Sequence, residues 1–266
     1  MKTAIVFAAS IFESSKLNVI REFFSVFKEY FSDADFYIAL NYGSLEEQKS
    51  IISSYIPNIT FWRLEEERLY TRTEASAFQH ALKNLKNVDK SYDVYWFVHS
   101  KGGHNSRDEV RQLYFNEMFS QRKEIEGLFE KYPKLGSWAI RGNARNSLGV
   151  WWKDYNVDCA FPICANTKIE PFNYTHVNYS YIEGLYVLKG NPVEDFIKAL
   201  PEAFFQTKLD PWYFETVLSW VPSRAGYYPY VKRRECFWNQ GDLLNITEQW
   251  IKENQLTELE PYLKLL

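Results

Sequence analysis

Cysteine is scarce in this sequence: its 266 residues include three, Cys159, Cys164 and Cys236. Their number is odd and their spacing matches no zinc-binding pattern, so we expect neither a disulfide framework nor a structural metal site. No apolar run approaches the ~20 residues that a membrane span requires. These absences predict a reduced, cytoplasmic protein without a transmembrane segment, and they leave open a peripheral contact with a membrane.

A surplus of charge of one sign is also missing. The formal net charge is −3, and acidic and basic residues are interspersed. Without a basic field or a zinc-finger or RNA-binding signature, the sequence argues against nucleic-acid binding. Aromatic residues, by contrast, make up 18% of the chain. Such rings fill a core efficiently, and in loops they also stack on sugar rings.

Residues 1–105 alternate between strand and helix patterns. The predicted strands are 3–12, 35–41, 58–64 and 92–98, and the predicted helices are 14–31, 45–55 and 73–85. The first run superficially matches a signal peptide, but it is short and leads directly into an amphipathic helix, which favours a strand. Strands and helices that alternate through short turns predict an α/β fold with a mostly parallel central sheet flanked by helices.

The second half of the chain has a different pattern. It predicts a long helix over 106–132, short strands at 136–141, 150–152 and 181–189, and helices near 192–200 and 211–220. A helical tail is expected from about residue 245. Because no linker or internal repeat interrupts the pattern, we predict one domain over residues 1–240 and a C-terminal helical tail over 241–266.

The strongest chemical signal follows the fourth predicted strand, where an apolar run ends in His99, Ser100, Lys101 and Gly102. Ligands of open parallel sheets bind outside the carboxyl ends of the strands. A lysine there suits a phosphate group, and glycine lets the backbone approach a ligand closely. The alternative is a glycine-rich turn with a solvated lysine and a hydrogen-bonded histidine. The predicted ligand-binding residues at this edge are Ala8, Ala9, Ser10, Asn41, Arg72, His99, Ser100, Lys101 and Gly102.

The order of these elements resembles the GT-A fold of nucleotide-sugar glycosyltransferases over about residues 3–230, with the helix at 73–82 and the strand that ends in His99-Ser100-Lys101. The loop and the helix after it look more like the rhamnan synthesis protein F group of polysaccharide glycosyltransferases, whose corresponding strand ends in a His-Thr-Lys-type motif. The resemblance implies transfer of a sugar from a nucleotide-sugar donor to a glycan acceptor. It also implies that residues 1–105 are a nucleotide-binding half and 106–240 an acceptor-binding half.

The sequence departs from the GT-A pattern at one position. Where that family usually has Asp-X-Asp to hold a divalent metal on the diphosphate, this chain has His99-Ser100-Lys101. Fixed cationic side chains can stabilise a leaving diphosphate as a metal can. We therefore expect transfer that does not require a metal, with Lys101 assisting the leaving group, helped by Arg72 or by residues 232–234. Binding of Mn or Mg through ligands elsewhere is left open.

The resemblance also implies an acceptor-side base at the start of a late helix, with inversion of the anomeric carbon. Glu215 is the first candidate for this base, because partial burial beside Trp212 would raise its pKa. Asp210 is the second, although an aspartate before Pro211 is also an ordinary helix start. The predicted acceptor-binding residues are Glu183, Gly184, Trp152 and Trp212, each of which has packing or a surface ion pair as its ordinary explanation.

Two other functions remain open. A sugar nucleotidyltransferase would usually carry a loop rich in glycine and arginine after its first strand, and residues 8–15 contain neither. A non-catalytic glycan-binding protein would keep the aromatic loops but would not need the phosphate-binding edge. The basic run 232–234 is either a solvated patch or a contact for a diphosphate or an anionic lipid.

Overall fold

The fold is taken from a computed structural model. It describes residues 1–9, 17–40, 44–57, 59–63, 74–100, 108–145, 178–181, 185–206, 218, 221–222 and 227–234. The strands are β1 Thr3–Ala9, β2 Asp35–Leu40, β3 Ile59–Arg63, β4 Val94–His99, β5 Leu135–Arg145, β6 Asn178–Tyr181, β7 Tyr186–Lys189 and β8 Tyr228–Arg234. The helices are α1 Leu17–Tyr30, α2 Leu45–Ser53, α3 Glu74–Leu85, α4 Asp108–Tyr114, α5 Arg122–Lys131 and α6 Gly190–Ala199. A π-helix, Phe115–Phe119, and a 3₁₀-helix, Glu202–Gln206, complete the described elements.

All of the described strands belong to one sheet, in the order β3-β2-β1-β4-β7-β5. The pairs β1–β2, β1–β4 and β2–β3 are parallel, whereas β7 runs antiparallel to both β4 and β5. Strand β8 pairs with β5 in parallel and β6 pairs with β5 antiparallel. The predicted α/β fold, with a mostly parallel central sheet flanked by helices, is confirmed.

Two core layers cover the two faces of the sheet, because successive side chains of a strand point to opposite faces. On β1, Ala4, Val6 and Ala8 belong to one layer, and Ile5 and Phe7 belong to the other. We call the layer shared with α3 and α6 the first layer. The second layer is shared with α1, α2, α5 and the π-helix.

Aromatic rings dominate the second layer. The ring of Phe7 on β1 meets the rings of Phe23, Phe24 and Phe27 of α1 at centroid distances of 5.3, 5.4 and 5.9 Å. All three contacts are edge-to-face, an arrangement that aromatic pairs favour. Each fully buried phenylalanine contributes about 1.5–3 kcal/mol through removal of its surface from water. In the described elements, this cluster accounts for much of the abundance of phenylalanine.

The predicted long helix over 106–132 is interrupted. It consists of α4, the π-helix and α5, with Ser120 and Gln121 in a turn between the last two. The Ser120 hydroxyl donates to the Asn116 carbonyl at 2.6 Å, and the Ser120 N–H donates to the Phe115 carbonyl at 3.1 Å. These bonds replace the regular helical ladder between the π-helix and α5, and Phe115 and Phe119 remain buried.

The predicted strand 181–189 is two strands, β6 and β7, on the same side of β5. Gly142 pairs with Tyr181 and Trp138 with Val187, so four residue steps along β5 are matched by six on the neighbouring chain. Two surplus residues therefore lie between Tyr181 and Val187. Where the described residues cover them, the other ends agree with the prediction within a few residues. Strand β5 continues past its predicted end to Arg145, and β8 was not predicted from the sequence.

Three predicted elements fall partly or wholly beyond this description. The strand at 150–152 and the tail at 241–266 lie outside the described residues, as does the helix at 211–220 apart from Leu218. The division into a nucleotide-binding and an acceptor-binding half stays a prediction. In the part of the chain that is described, no helix is both long and apolar enough to cross a membrane.

Candidate functional site

The four parallel strands end side by side at one edge of the sheet, which we call the carboxyl edge. Ala8 pairs with both Ala39 and His99, and Leu40 pairs with Arg63. The chain therefore leaves the sheet at the same level from β1, β2, β3 and β4. This is the place where ligands of open α/β sheets bind.

The predicted residues at the end of β4 are brought against the end of β1. His99 is 3% exposed and Ser100 6% exposed, and the Ser100 N–H donates to the Ala8 carbonyl at 3.0 Å. Ala8 and Ala9 are fully buried, one in each core layer. Their side chains are thus part of the packing, and this end of β1 offers its backbone at the edge. The structure brings together Ala8, Ala9, His99 and Ser100, and their role in donor binding stays a prediction.

Most of the other predicted site residues lie outside the described residues. They are Ser10, Asn41, Arg72, Lys101, Gly102, Trp152, Glu183, Gly184, Asp210, Trp212 and Glu215. The described residues that precede Ser10 and Lys101 in the chain are Ala9 and Ser100, both at the carboxyl edge.

Strand β7 begins near the same edge. It runs antiparallel to β4, and Tyr186 at its start pairs with Phe97, two residues before His99. Glu183 and Gly184, which precede β7 in the chain, lie outside the described residues.

The predicted base segment joins two parts of the first layer. Phe205 and Leu218, before and after residues 207–217, both pack in that layer. His99 lies on the same side of the sheet, because Tyr95 and Phe97 on β4 belong to the first layer and strand side chains alternate. Phe205 and Leu218 therefore lie on the same side of the sheet as His99, whereas Asp210 and Glu215 lie outside the described residues.

Sequence reasoning identified the basic run 232–234 at the end of β8 but missed the arginines of β5, the strand that pairs with it. Arg141 pairs with Arg233, and Gly142 pairs with Arg234. Strand β5 continues to Arg145, beyond its partners in β7 and β8. The signal was present: Arg141, Asn143 and Arg145 alternate at strand spacing directly after an apolar run, which is typical of a strand that extends past its core.

The described residues do not fit the divalent metal that the fold resemblance implies. None of their histidine, cysteine, aspartate and glutamate side chains form a group of three or more that could hold an ion. At the end of β4, where the family pattern has carboxylates, the donor set is His99, Ser100 and Lys101. Hard divalent cations prefer oxygen ligands with charge, which this triplet lacks.

The opposite edge of the sheet has a cavity of about 470 Å³, lined by residues that include Lys2, Asp33, Asp35 and Lys90. The Asp35 carboxylate accepts from the Tyr92 hydroxyl at 2.7 Å and from Lys90 at 3.1 Å. Burial and the hydrogen bonds of Tyr92 with Tyr37 and Asp35 raise the pKa of its hydroxyl. Tyr92 thus stays protonated and acts as a structural donor rather than as an acid or base.

Arg122 lies at the same edge, against the second core layer. Its guanidinium lies 4.8 Å from the Phe31 ring centroid, donates to Glu126 at 2.8 Å and pairs with Asp33. Burial lowers the pKa of Arg122, but the hydrogen bonds to Asp33 and Glu126 outweigh this and raise it. Glu126 in turn accepts from the Thr3 hydroxyl at 2.7 Å. These groups satisfy one another, so the network fixes the beginnings of the strands and is not a reactive site.

Comparison with known proteins finds similarity in structure alone. No protein-family model matches the sequence, and no curated protein matches it. Among solved structures, core-mannan synthase A of Aspergillus fumigatus in its Mn/GDP form matches 87% of this chain and 72% of its own, at 10% identity and a TM-score of 0.38. A 4-diphosphocytidyl-2C-methyl-D-erythritol synthase of Anaerococcus prevotii matches 94% and 96%, at 10% identity and a TM-score of 0.41.

Mouse xyloside xylosyltransferase 1 in its apo form is a third similar structure. It matches 82% of this chain and 77% of its own, at 11% identity and a TM-score of 0.33. The three names include two glycosyltransferases and one diphosphocytidyl-compound synthase. The finer resemblance to the rhamnan synthesis protein F group stays a prediction.

Proposed function

We propose that this protein is a glycosyltransferase that moves a sugar from a nucleotide-sugar donor to a glycan acceptor, with inversion at the anomeric carbon. The observation that carries the proposal is the meeting of β1 and β4 at the carboxyl edge, where the buried pair His99 and Ser100 leads into Lys101. A parallel sheet with a cation at this point suits a diphosphate. The resemblance of the element order to the GT-A fold, and of the triplet to the His-Thr-Lys-type motif of the rhamnan synthesis protein F group, supports the same function.

The proposed reaction is a single displacement. An acceptor hydroxyl oxygen forms a bond to the anomeric carbon while the bond from that carbon to the diphosphate oxygen breaks, and the electron pair leaves with the nucleoside diphosphate. Lys101 offsets the charge that develops on this leaving group. The hydroxyl proton passes to the carboxylate of Glu215, with Asp210 as the second candidate. No step is assigned to a metal.

Two features support the assignment of the base to the 207–217 segment. The segment is anchored at both ends in the first layer, and His99 lies on that side of the sheet. The acceptor hydroxyl must be held close to the anomeric carbon of the donor, opposite the leaving oxygen, so its base has to lie near the donor site. The proposed contacts to the acceptor are Glu183 and Gly184, which lie between β6 and β7 in the sequence, together with Trp152 and Trp212.

Thermal-shift measurements with UDP, GDP and dTDP test donor binding. At least one nucleoside diphosphate is expected to raise the melting temperature, because a ligand that binds only the folded state stabilises it. If none does so, the proposal is refuted and a non-catalytic glycan-binding protein is the better description. Release of pyrophosphate from a nucleoside triphosphate and a sugar phosphate would instead identify a nucleotidyltransferase.

Replacement of Lys101 tests the mechanism. Lys101→Ala should lower turnover by about 10²–10³-fold, as loss of one stabilising donor in a preorganised site does. Lys28→Ala, which removes the same charge from an exposed position of α1, should retain full activity. Near-normal turnover of Lys101→Ala would refute the role of this lysine. Activity should also persist in EDTA, and a loss that Mn restores would show that a metal is required.

A further inference from the structure

Strand β3 is an open edge of the sheet in the part of the chain that the structure describes. It pairs with β2 on one side, and no described strand lies on its other side. The outer side of an edge strand presents unpaired backbone N–H and C=O groups, which can accept a further strand. At about 3.3 Å per residue, the five residues Ile59–Arg63 give an edge about 17 Å long.

The two outer strands of the described sheet differ in composition. Strand β8, which pairs with β5 at the far end, contains Pro229 and the basic run 232–234. Proline and charged residues in an edge strand oppose its pairing with another chain. Strand β3 contains no proline, and its one charged residue is Arg63 at its end. Its other residues are β-branched or aromatic, the types that favour strand pairing, so β3 lacks the protection that β8 has.

Strand β3 and the helix before it carry five large apolar side chains that are half-buried. These residues, the apolar rim, are Ile51 and Tyr55 of α2 and Ile59, Phe61 and Trp62 of β3. Ile59 and Phe61 pack against the second layer. Trp62 packs against the first layer, and its ring stacks on that of Tyr37 with 5.2 Å between the centroids. The apolar rim thus reaches both faces of β3, and removal of its remaining surface from water would favour association.

Helix α2 places a pair of opposite charges beside β3. The Lys49 ammonium lies 5.8 Å from the Phe61 ring centroid and 3.9 Å from the Glu46 carboxylate. The side chain of Lys49 is 36% exposed and that of Glu46 is 86% exposed, so both can reach a neighbouring molecule. A two-fold axis beside β3 would bring a second α2 alongside in the opposite direction, and Lys49 of each copy could then meet Glu46 of the other.

We infer that β3 pairs antiparallel with β3 of a second copy of this chain, so that one sheet continues through a two-fold symmetric dimer. Such an interface uses the same surface twice and therefore needs a surface that is complementary to itself. Antiparallel pairing of identical strands meets this requirement in the backbone, and the Glu46–Lys49 pair meets it in charge. With the axis perpendicular to the sheet, each core layer lies beside the same layer of the other copy, and the two apolar rims meet.

The proposed dimer leaves the carboxyl edge of each copy open. The strands of the two copies run in opposite directions, so their carboxyl edges face opposite ways. Strand β4 is three strand positions from β3, which at about 4.8 Å per position is about 14 Å. His99 and Ser100 therefore stay clear of the interface, and the inference stands independently of the proposed function.

Sedimentation velocity of the full chain over roughly 1–100 µM tests the inference. A pair of five-residue strands is a small interface, so we expect a reversible dimer within this range. Hydrogen–deuterium exchange at the same concentrations should show slower exchange of β3 amides as the dimer fraction rises.

A chain that stays monomeric throughout this range would overturn the inference. Fast exchange of β3 amides in such a monomer would show that the edge is open but unused. Slow exchange would show that another segment of the same chain covers it.

Replacement of Thr60 tests whether β3 forms the interface. Thr60→Lys should raise the dissociation constant of the dimer at least tenfold, because lysine in an edge strand opposes pairing. Thr60→Val is the matched control, since it keeps the β-branched shape without adding charge, and it should dimerise as the wild type does. Thr60 is exposed, so both variants should fold, which circular dichroism checks. Equal dissociation constants for the two variants would contradict the assignment.

Charge reversal in α2 tests the two-fold arrangement. Lys49→Glu and Glu46→Lys each leave like charges facing each other across the axis, so each variant alone should dimerise at least tenfold more weakly than the wild type. A mixture of the two variants should recover the dimer, because each copy then meets the opposite charge. Lys28→Glu, at an exposed position of α1, should dimerise as the wild type does. A mixture that dimerises no better than its components would overturn the proposed arrangement.

Discussion

Gly190 allows helix α6 to begin directly against strand β4. Its N–H donates to the Asp93 carbonyl at 2.8 Å. A Cβ atom at this position would lie 1.7 Å from the Tyr92 carbonyl oxygen, 2.8 Å from its carbonyl carbon and 3.1 Å from the Asp93 oxygen. These are backbone atoms, so no side-chain rotation can relieve the overlap. Either β7 and α6 must move away from β4, or the hydrogen bond must break.

Gly190→Ala should therefore lower the free energy of unfolding by about 3 kcal/mol, at the upper end for overpacking because the obstacle is backbone. For a domain of this size, such a loss lowers the melting temperature by roughly 6–12 °C. Urea unfolding followed by circular dichroism and by tryptophan fluorescence measures the first quantity, and calorimetry measures the second.

Gly127→Ala is the matched control, since a Cβ at Gly127 in α5 would meet nothing within 4 Å. Alanine is the better helix former by about 0.5–1 kcal/mol, so this variant should be slightly more stable than the wild type. The reasoning would be refuted if Gly190→Ala melted within about 2 °C of the wild type, or if the two variants were equally affected.

Two polar contacts, one buried and one at the surface, give further predictions. Glu194 accepts from the Tyr92 N–H at 2.8 Å and from the Tyr95 hydroxyl at 3.1 Å. Glu194→Ala should therefore lower the free energy of unfolding in urea by about 2–4 kcal/mol, and Glu194→Gln, which keeps an acceptor, by less than half as much. Equal losses in the two variants would contradict this. The hydrogen bond from Arg122 lowers the pKa of Asp33, so its stabilisation is present above the ordinary aspartate pKa and is lost as pH falls through the lowered value. The free energy of unfolding of Asp33→Asn should then be about 1 kcal/mol below that of the wild type at pH 7, a small value because Asp33 is exposed to solvent. This difference should shrink below pH ~4. A difference that does not change with pH would refute the role of the Asp33 charge.

The sequence predicts the fold correctly where the local residue pattern and the tertiary packing agree. The alternation of β1 places Ile5 and Phe7 on one side and Val6 on the other, as a strand buried on both faces requires. Strand pairing across long distances was less accessible. No local pattern indicates that the chain at 186–189 enters the sheet between β4 and β5, because that register depends on contacts with strands about 50 or more residues away.

Part of the candidate site could be predicted from the sequence and part could not. The proximity of His99 and Ser100 to Ala8 follows from the rule that parallel strands end at one edge, and it could be predicted. The pairing of Arg141 with Arg233 could not, because it joins strands separated by most of the second half of the chain. A motif search also gives little weight to arginines that are spaced at two residues and are not adjacent.

The two surplus residues between β6 and β7 affect which substitutions this protein can tolerate. The chain is held by pairing with β5 before them, at Tyr181, and with β4 and β5 after them, at Tyr186 and Val187. We therefore expect substitutions at 182–184 to leave the register of both strands unchanged. A variant library confined to these positions would test the predicted acceptor role of Glu183 and Gly184 at little cost to folding.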